Sequence, residues 1–379
     1  MMKKLHVALA FAGAVAGSAY AQPTVEIYGI LDMGFVRESG RVNDLTTGSF
    51  VEPSLTSVSP GGNKLSSGVQ SGTRLGFKGT EDLGGGLKAL FVLETGIGAD
   101  RGGFNQGNLA FGRQSFAGLQ GDFGTVTLGR QLTSYFLTLN QVADPFASGL
   151  AGNAQNLMLP GAVPNITAYT GTGGPATNDP TGDGLEADRA IRMNNAIKYA
   201  SPIISGFSGE VAYGFGETAG SNSTNRVITG SIGYSVKPVS IRLAHYRKNS
   251  VLPSLSNADS LSSTMLAANW DLGVAKVFAA YADNDWAAAG KSRDYLIGAS
   301  APFGPHTFIA SYIRKDVRNS RDDANQWGLG YTYALSKRTN LYAAYGRISN
   351  KGEATFTVGN NSENGTSNAA FNLGVRHLF

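Results

Sequence analysis

The sequence predicts an all-β fold, a transmembrane antiparallel β-barrel of sixteen strands, and three observations carry that expectation. Large apolar residues alternate with small or polar ones at a period of two from one end to the other, the pattern of strands with two unlike faces. Turn signals fall into a short set and a long set that alternate along the chain. Beyond residue 21 no window of eighteen consecutive apolar residues occurs, so a helical membrane span is excluded.

Composition agrees. The 379 residues show no break that would mark a linker, so one architecture is expected over 22–379. With 51 glycines, 13 prolines and only 15% charged residues, the chain favours strands and turns and is poorly charged for a soluble protein of this length. Cysteine is absent, which excludes thiolate catalysis, iron–sulfur clusters, Cys-based zinc sites and disulfides.

The first element is expected to be removed. Lys3 and Lys4 precede an apolar run from Leu5 to Gly17 that leads into Ala19-Tyr20-Ala21. That is the pattern of a secretory signal peptide over 1–21, cut before Gln22. The run is shorter than the roughly 20 residues of a membrane helix. Loss of the two lysines lowers the formal net charge from +4 to +2, too near neutrality for nucleic acid as the main partner.

The strands follow. In the last one Phe371, Leu373, Val375, His377 and Phe379 share a face, opposite Ala370, Asn372, Gly374 and Arg376. Phe207, Val211, Tyr213 and Phe215 oppose Ser208, Glu210, Ala212 and Gly214 in the same way, as Trp327, Leu329, Tyr331 and Tyr333 oppose Gln326, Gly328, Gly330 and Thr332. Short turns are predicted at 82–86, 121–124, 201–206, 237–238, 271–273, 302–305 and 336–338. Longer loops lie near 38–72, 99–108, 135–190, 218–224, 249–260, 286–291, 318–323 and 350–367. Seven turns and eight loops give sixteen strands, a size that encloses an aqueous channel. Tyr28, Trp270, Trp286 and Tyr345 near strand ends are candidates for interfacial girdles.

Side-chain parity then selects the lumenal residues. Arg74, Gly76 and Lys78 fall together, opposite Leu75 and Phe77, so Arg74 should point into the lumen. The same count turns Arg113 inward with Ser115, away from Phe116, and puts Arg192, Asn194, Ala196 and Lys198 opposite Met193 and Ile197. Three arginines from different strands would thus line one wall. Glu94 and Asp32 are the carboxylates with which they would otherwise pair, and both are expected on the lumenal side with Lys78 and Lys198.

These segments resemble Gram-negative general diffusion porins of the beta-proteobacterial type, over essentially the whole mature chain. Ile27–Asp32 looks like that family's first strand. Thr73–Ala89, with its Glu81-Asp82-Leu83-Gly84-Gly85-Gly86 turn, looks like the second and third. Gly112–Phe116, Leu128–Gln131, Arg192–Tyr199 and Gly374–Phe379 resemble the fourth, fifth, sixth and closing strands. The resemblance implies a bacterial outer-membrane channel for small hydrophilic solutes and ions, without a cofactor. It implies a homotrimer among outer-membrane lipid and lipopolysaccharide, with Phe379 read by the barrel-assembly machinery. It also implies a third loop folded into the lumen and a basic constriction in which Arg74, Arg113 and Arg192 match the family's positions. Asp144-Pro145-Phe146 resembles that loop's inward stretch, which makes Asp144 the expected acid at the constriction. Ala147 and Ser148 depart from the pattern, and the acids Asp179, Asp183, Glu186 and Asp188 come late in a long insert. A wall of arginines facing so little acid favours anions mildly.

Other functions fit less well. After the signal segment only His245, His306 and His377 remain, each isolated and without metal-ligand spacing, so neither a hydrolytic site nor a metal centre is expected. A solute-specific channel is the nearest alternative, and a soluble adhesin would leave the sixteen-strand rhythm unexplained.

Overall fold

The computed structural model describes residues 24–43, 57–58, 62–162, 190–217, 220–249, 260–287, 290–358 and 364–379. The signal segment and the acids Asp179, Asp183, Glu186 and Asp188 lie outside them. Sixteen long strands form one sheet: β1 (Thr24–Ser39), β2 (Arg74–Gly84), β3 (Leu87–Gly98), β4 (Gln114–Gly121), β5 (Gly124–Leu132), β6 (Arg192–Ala200), β7 (Phe207–Gly214) and β8 (Val227–Val236), then β9 (Val239–Asn249), β10 (Ser260–Asp271), β11 (Lys276–Asp285), β12 (Lys291–Phe303), β13 (His306–Val317), β14 (Ala324–Ala334), β15 (Thr339–Asn350) and β16 (Asn368–Leu378). These strands pair antiparallel with their neighbours in the chain. The sheet closes where β1 pairs with β2 through Thr24–Ile30 and with β16 through Ile30–Ser39. All seven short turns fall at the expected places.

Closure is needed because no water satisfies an open sheet edge in lipid. The wall has the polarity a membrane requires. Ile27 and Ile297 are more than 60% exposed on the outer face, whereas Asp32 and Lys315 are fully buried on the inner one, the reverse of a soluble domain. The inner face of β10–β13 carries a connected polar network. Lys315 donates to both carboxylate oxygens of Asp294 at 2.9 and 2.8 Å, and Asn284 and Ser292 complete the shell of Asp294. The Lys315 ammonium lies over the ring of Trp286 at 4.8 Å, and that ring is fully buried. The expected place of Trp286 in a lipid-facing girdle is therefore corrected: its stretch curls inward beyond the end of β11. Tyr28 is corrected likewise, since it shares the inner face with Asp32 and its hydroxyl reaches Glu94. Trp270 does face outward.

Between β5 and β6, helix α1 (Ser134–Thr138), a π-helical turn (Leu139–Ala143) and helix α2 (Gln155–Met158) pack on the inner face of the wall. Tyr135, Leu139, Leu157 and Met158 meet Ala212, Ala244, Met265, Leu296 and Ile313 there. Small wall residues are what let a loop lie this close. Gly328 of β14 is in contact with Gly152 of the loop, so a side chain at either position would force them apart. Polar latches fix the path: Asn269 donates to the Val142 carbonyl at 3.0 Å, Ser311 to the Gly152 carbonyl at 3.1 Å, and Ala151 N–H to the Asn372 side chain at 2.7 Å. The loop fills the interior beside β7–β15 and leaves the remaining space against β1–β6.

Candidate functional site: the basic wall of the lumen

On β1–β6 several polar interior side chains are joined through one carboxylate. Glu94 of β3 is nearly fully buried. Its Oε1 accepts from Arg113 Nε at 2.8 Å, its Oε2 accepts from the Tyr28 hydroxyl at 3.1 Å, and Arg74 stands 3.9 Å away. Arg74 is held in turn by the Gly72 carbonyl at 2.9 Å and Ser71 Oγ at 2.8 Å. Arg192 donates to the Arg113 carbonyl at 2.9 Å. Arg130 donates to the Gly112 carbonyl at 2.7 Å and to the Asn194 side chain. Two guanidinium groups, those of Arg74 and Arg113, thus meet at Glu94, and those of Arg192 and Arg130 bond to the backbone of the segment that carries Arg113. A guanidinium keeps its charge in such a crowd, and carbonyl acceptors fix its plane without neutralising it.

The structure brings Arg74, Arg113 and Arg192 together as expected, but two parities differ. Gln114 pairs with Glu94 and Phe116 with Val92, so Phe116, not Ser115, faces the interior. Arg113 reaches Glu94 because it precedes β4, where the backbone is not yet extended. In β6 the register shifts between Met193 and Ala196, with Asn195 at φ 47°. This bulge puts Met193 on the inner face with Ala196 and Lys198 and leaves Arg192 on the other parity. Parity does not find Arg130, which lies beyond another irregular residue, Gly129 at φ 131°. Tyr28 escapes for a different reason: its even position in β1 already matches Asp32, but its aromatic ring suggests a girdle instead.

Asp144 requires a correction. It is 3% exposed, and its oxygens accept from the backbone N–H groups of Phe146, Ser148 and Ala154 at 2.9 Å each. Burial pushes its carboxyl up to about 6 against those three donors. It organises the turn of its own loop and does not face the arginines. Among the described residues of this loop it is the sole acid, so no third-loop carboxylate stands opposite the basic wall there. Asp32 is also a fastener: its carboxylate accepts from Gln70 N–H at 2.6 Å, Ser71 N–H at 2.5 Å and the Tyr342 hydroxyl at 2.7 Å, tying the end of the first loop to the wall. Lys78 and Lys198 do line the interior, toward the short-turn end. Each is paired, with Glu26 at 3.1 Å and Glu210 at 2.9 Å, around a cavity of about 530 Å³.

Comparison with known proteins gives a consistent picture. The sequence profile of the family described as Gram-negative porin matches residues 8–353. Outer membrane porin protein 32 of Delftia acidovorans is 32% identical over the full length of both chains, and an outer membrane porin protein of Bordetella pertussis is 29% identical over the same extent. Among solved structures, the anion-selective porin from Comamonas acidovorans superimposes with a TM-score of 0.74 at 30% identity, covering 94% of this chain and all of that one.

Proposed function

Since the chain belongs to the Gram-negative porin family and forms an outer-membrane diffusion channel, we propose that its lumen passes small hydrophilic solutes with a mild preference for anions, set by Arg74, Arg113 and Arg192 together with Arg130. One observation carries this reading: the Arg74 and Arg113 guanidinium groups meet at Glu94, with Arg192 and Arg130 bonded to the backbone beside Arg113, while the described part of the third loop opposes them with no carboxylate. Fixed charge in a narrow low-dielectric passage acts on a passing ion far more strongly than in bulk water, lowering the barrier for one sign and raising it for the other. The likeness to a porin named as anion-selective points the same way.

In this reading Lys78, Lys198, Glu94 and Asp32 shape the lumen, Asp144 holds the third loop in place, and no cofactor takes part. The chain works as a homotrimer among outer-membrane lipid and lipopolysaccharide. Residues 1–21 direct export, and Phe379 is the assembly signal. Support for the last role is local: Phe379 exchanges backbone hydrogen bonds with Gly29 at 3.1 and 3.0 Å, and its ring covers that glycine, so it finishes the closing seam. Purified protein added to a planar bilayer under a KCl gradient should give stepwise conductance, in threes, with a reversal potential of anion-preferring sign. A cation-preferring sign would end the selectivity proposal.

A further inference from the structure

Toward the short-turn end from the arginines, the inner wall carries a surface that ion selectivity does not use. Leu90 and Val92 of β3, Phe116 of β4 and Leu137 of α1 line the cavity of about 530 Å³ there and are only half-buried. Beside β7–β15 the third loop packs over Met265, Leu296 and Ile313 and buries them, whereas these four stay open to the lumen. Phe116 gives the patch its aromatic surface, and it faces inward because Gln114 pairs with Glu94. An apolar patch inside a water-filled passage offers a place for the hydrocarbon part of a solute.

The charges around this patch come in pairs of opposite sign. Lys198 of β6 meets Glu210 of β7 at 2.9 Å, and Lys78 meets Glu26 at 3.1 Å. Two lysines against two glutamates leave the rim neutral, so it does not sort solutes by net charge as the arginine wall does. The Lys198–Glu210 pair is the better held: both side chains are mostly buried, and Lys198 Nζ also lies 3.4 Å from the Leu132 carbonyl. Glu210 meets Lys198 through Oε2, while its Oε1 is buried at the cavity edge and accepts no hydrogen bond among the described residues. Such a carboxylate oxygen calls for an N–H donor. Thr127 and Gly118 stand level with Lys198 on β5 and β4. Phe116 is two residues beyond Gly118, which puts its backbone about 12 Å from that of Lys198.

We propose that this cavity is a binding subsite for a zwitterionic amino acid with an apolar side chain: its ammonium donates to Glu210 Oε1, its carboxylate faces the Lys198 ammonium, and its side chain lies on Phe116, Val92 and Leu137. The proposal rests on the channel reading, which brings solutes past the arginines to this wall. A paired charge beside an apolar floor complements a molecule with both charges at one end and hydrocarbon at the other. An amphipathic anion would set its carboxylate against Glu210, and an amphipathic amine would set its ammonium against Lys198.

Saturation-transfer NMR of the detergent-folded protein titrated with L-phenylalanine tests it, alongside single-channel current in planar bilayers with the same amino acid. The expected result is saturable transfer to the ring protons and a fall in current at matching concentrations. Glycine, phenylacetate and 2-phenylethylamine should each need roughly fivefold more, or worse, for the same fall in current. Phe116→Ser should raise the half-saturating concentration of L-phenylalanine by roughly fivefold, and so should Lys198→Gln/Glu210→Gln, which keeps the rim neutral. Equal potency of L-phenylalanine and glycine, or of L-phenylalanine and phenylacetate, would overturn the proposal on the wild type alone, whether or not the variants fold. Unchanged binding in the folded Lys198→Gln/Glu210→Gln variant would overturn it too. Absence of wild-type conductance would sink the channel reading, while the NMR titration would still decide whether the cavity binds the amino acid.

Discussion

Glu94 is the residue on which the basic wall turns, because it is the one carboxylate that Arg74 and Arg113 share. Replacing it with glutamine keeps an acceptor for Arg113 Nε and removes the charge. Glu94→Gln should therefore strengthen anion preference by roughly 1 kcal/mol, about a fivefold rise in the anion-to-cation permeability ratio. Reversal potentials of the variant and wild type check this, and a fall in the ratio would show that the arginines do not face the ion path. Asp144 gives a pH dependence of definite sign. Its folded value of about 6 lies above the unfolded value of about 3.9, so its contribution to stability is complete below that lower value and is lost as pH rises through about 6. Wild type should lose roughly 2 kcal/mol relative to Asp144→Asn between about pH 4 and pH 7, measured by unfolding in detergent. Parity read from sequence locates Arg74 and Lys78 correctly, since both lie in the regular stretch of β2 before its register shift at Asp82. It fails at Arg113 and Arg192 because an irregular residue or a bulge resets the count, and nothing in the side chains there announces a positive φ at Asn195.

At the scale of the element, the third loop and the polar network on β10–β13 decide which half of the barrel stays open. The sequence marks the loop's place through Asp144-Pro145-Phe146, but not its attachment. That attachment depends on carbonyls and on glycine contacts such as Gly152 against Gly328, which leave no pattern within either segment. The Lys315–Asp294 pair is equally hard to see, because its members lie on separate strands and each alone reads as an ordinary lumenal charge. Both are fully buried, so removing one strands the other. Lys315→Met should destabilise the barrel by roughly 3–5 kcal/mol, and Lys315→Met with Asp294→Leu should recover most of that loss. Denaturant unfolding of the folded proteins compares the two. Equal losses in the single and double variants would mean that the pair is not an isolated buried ion pair.

For the molecule as a whole, strand number and chain order are legible because each strand carries its own alternation and six of the seven short turns, all but Ser336-Lys337-Arg338, their own glycine, proline or aspartate signal. The inversion of polarity is legible too, since glycine, serine and charge fall on one parity through most strands. What cannot be read is the asymmetry of the lumen: apolar loop packing beside β7–β15 and Arg74 and Arg113 sharing Glu94 beside β1–β6. On the proposed reading, that asymmetry makes the channel's selectivity a property of one wall. The most direct test is the reversal potential across a planar bilayer under a KCl gradient for wild type and for Arg74→Ser/Arg113→Ser/Arg192→Ser. Stepwise conductance should persist in the variant while its anion preference collapses toward neutrality. Full anion preference in the variant would mean that selectivity arises elsewhere than on this wall.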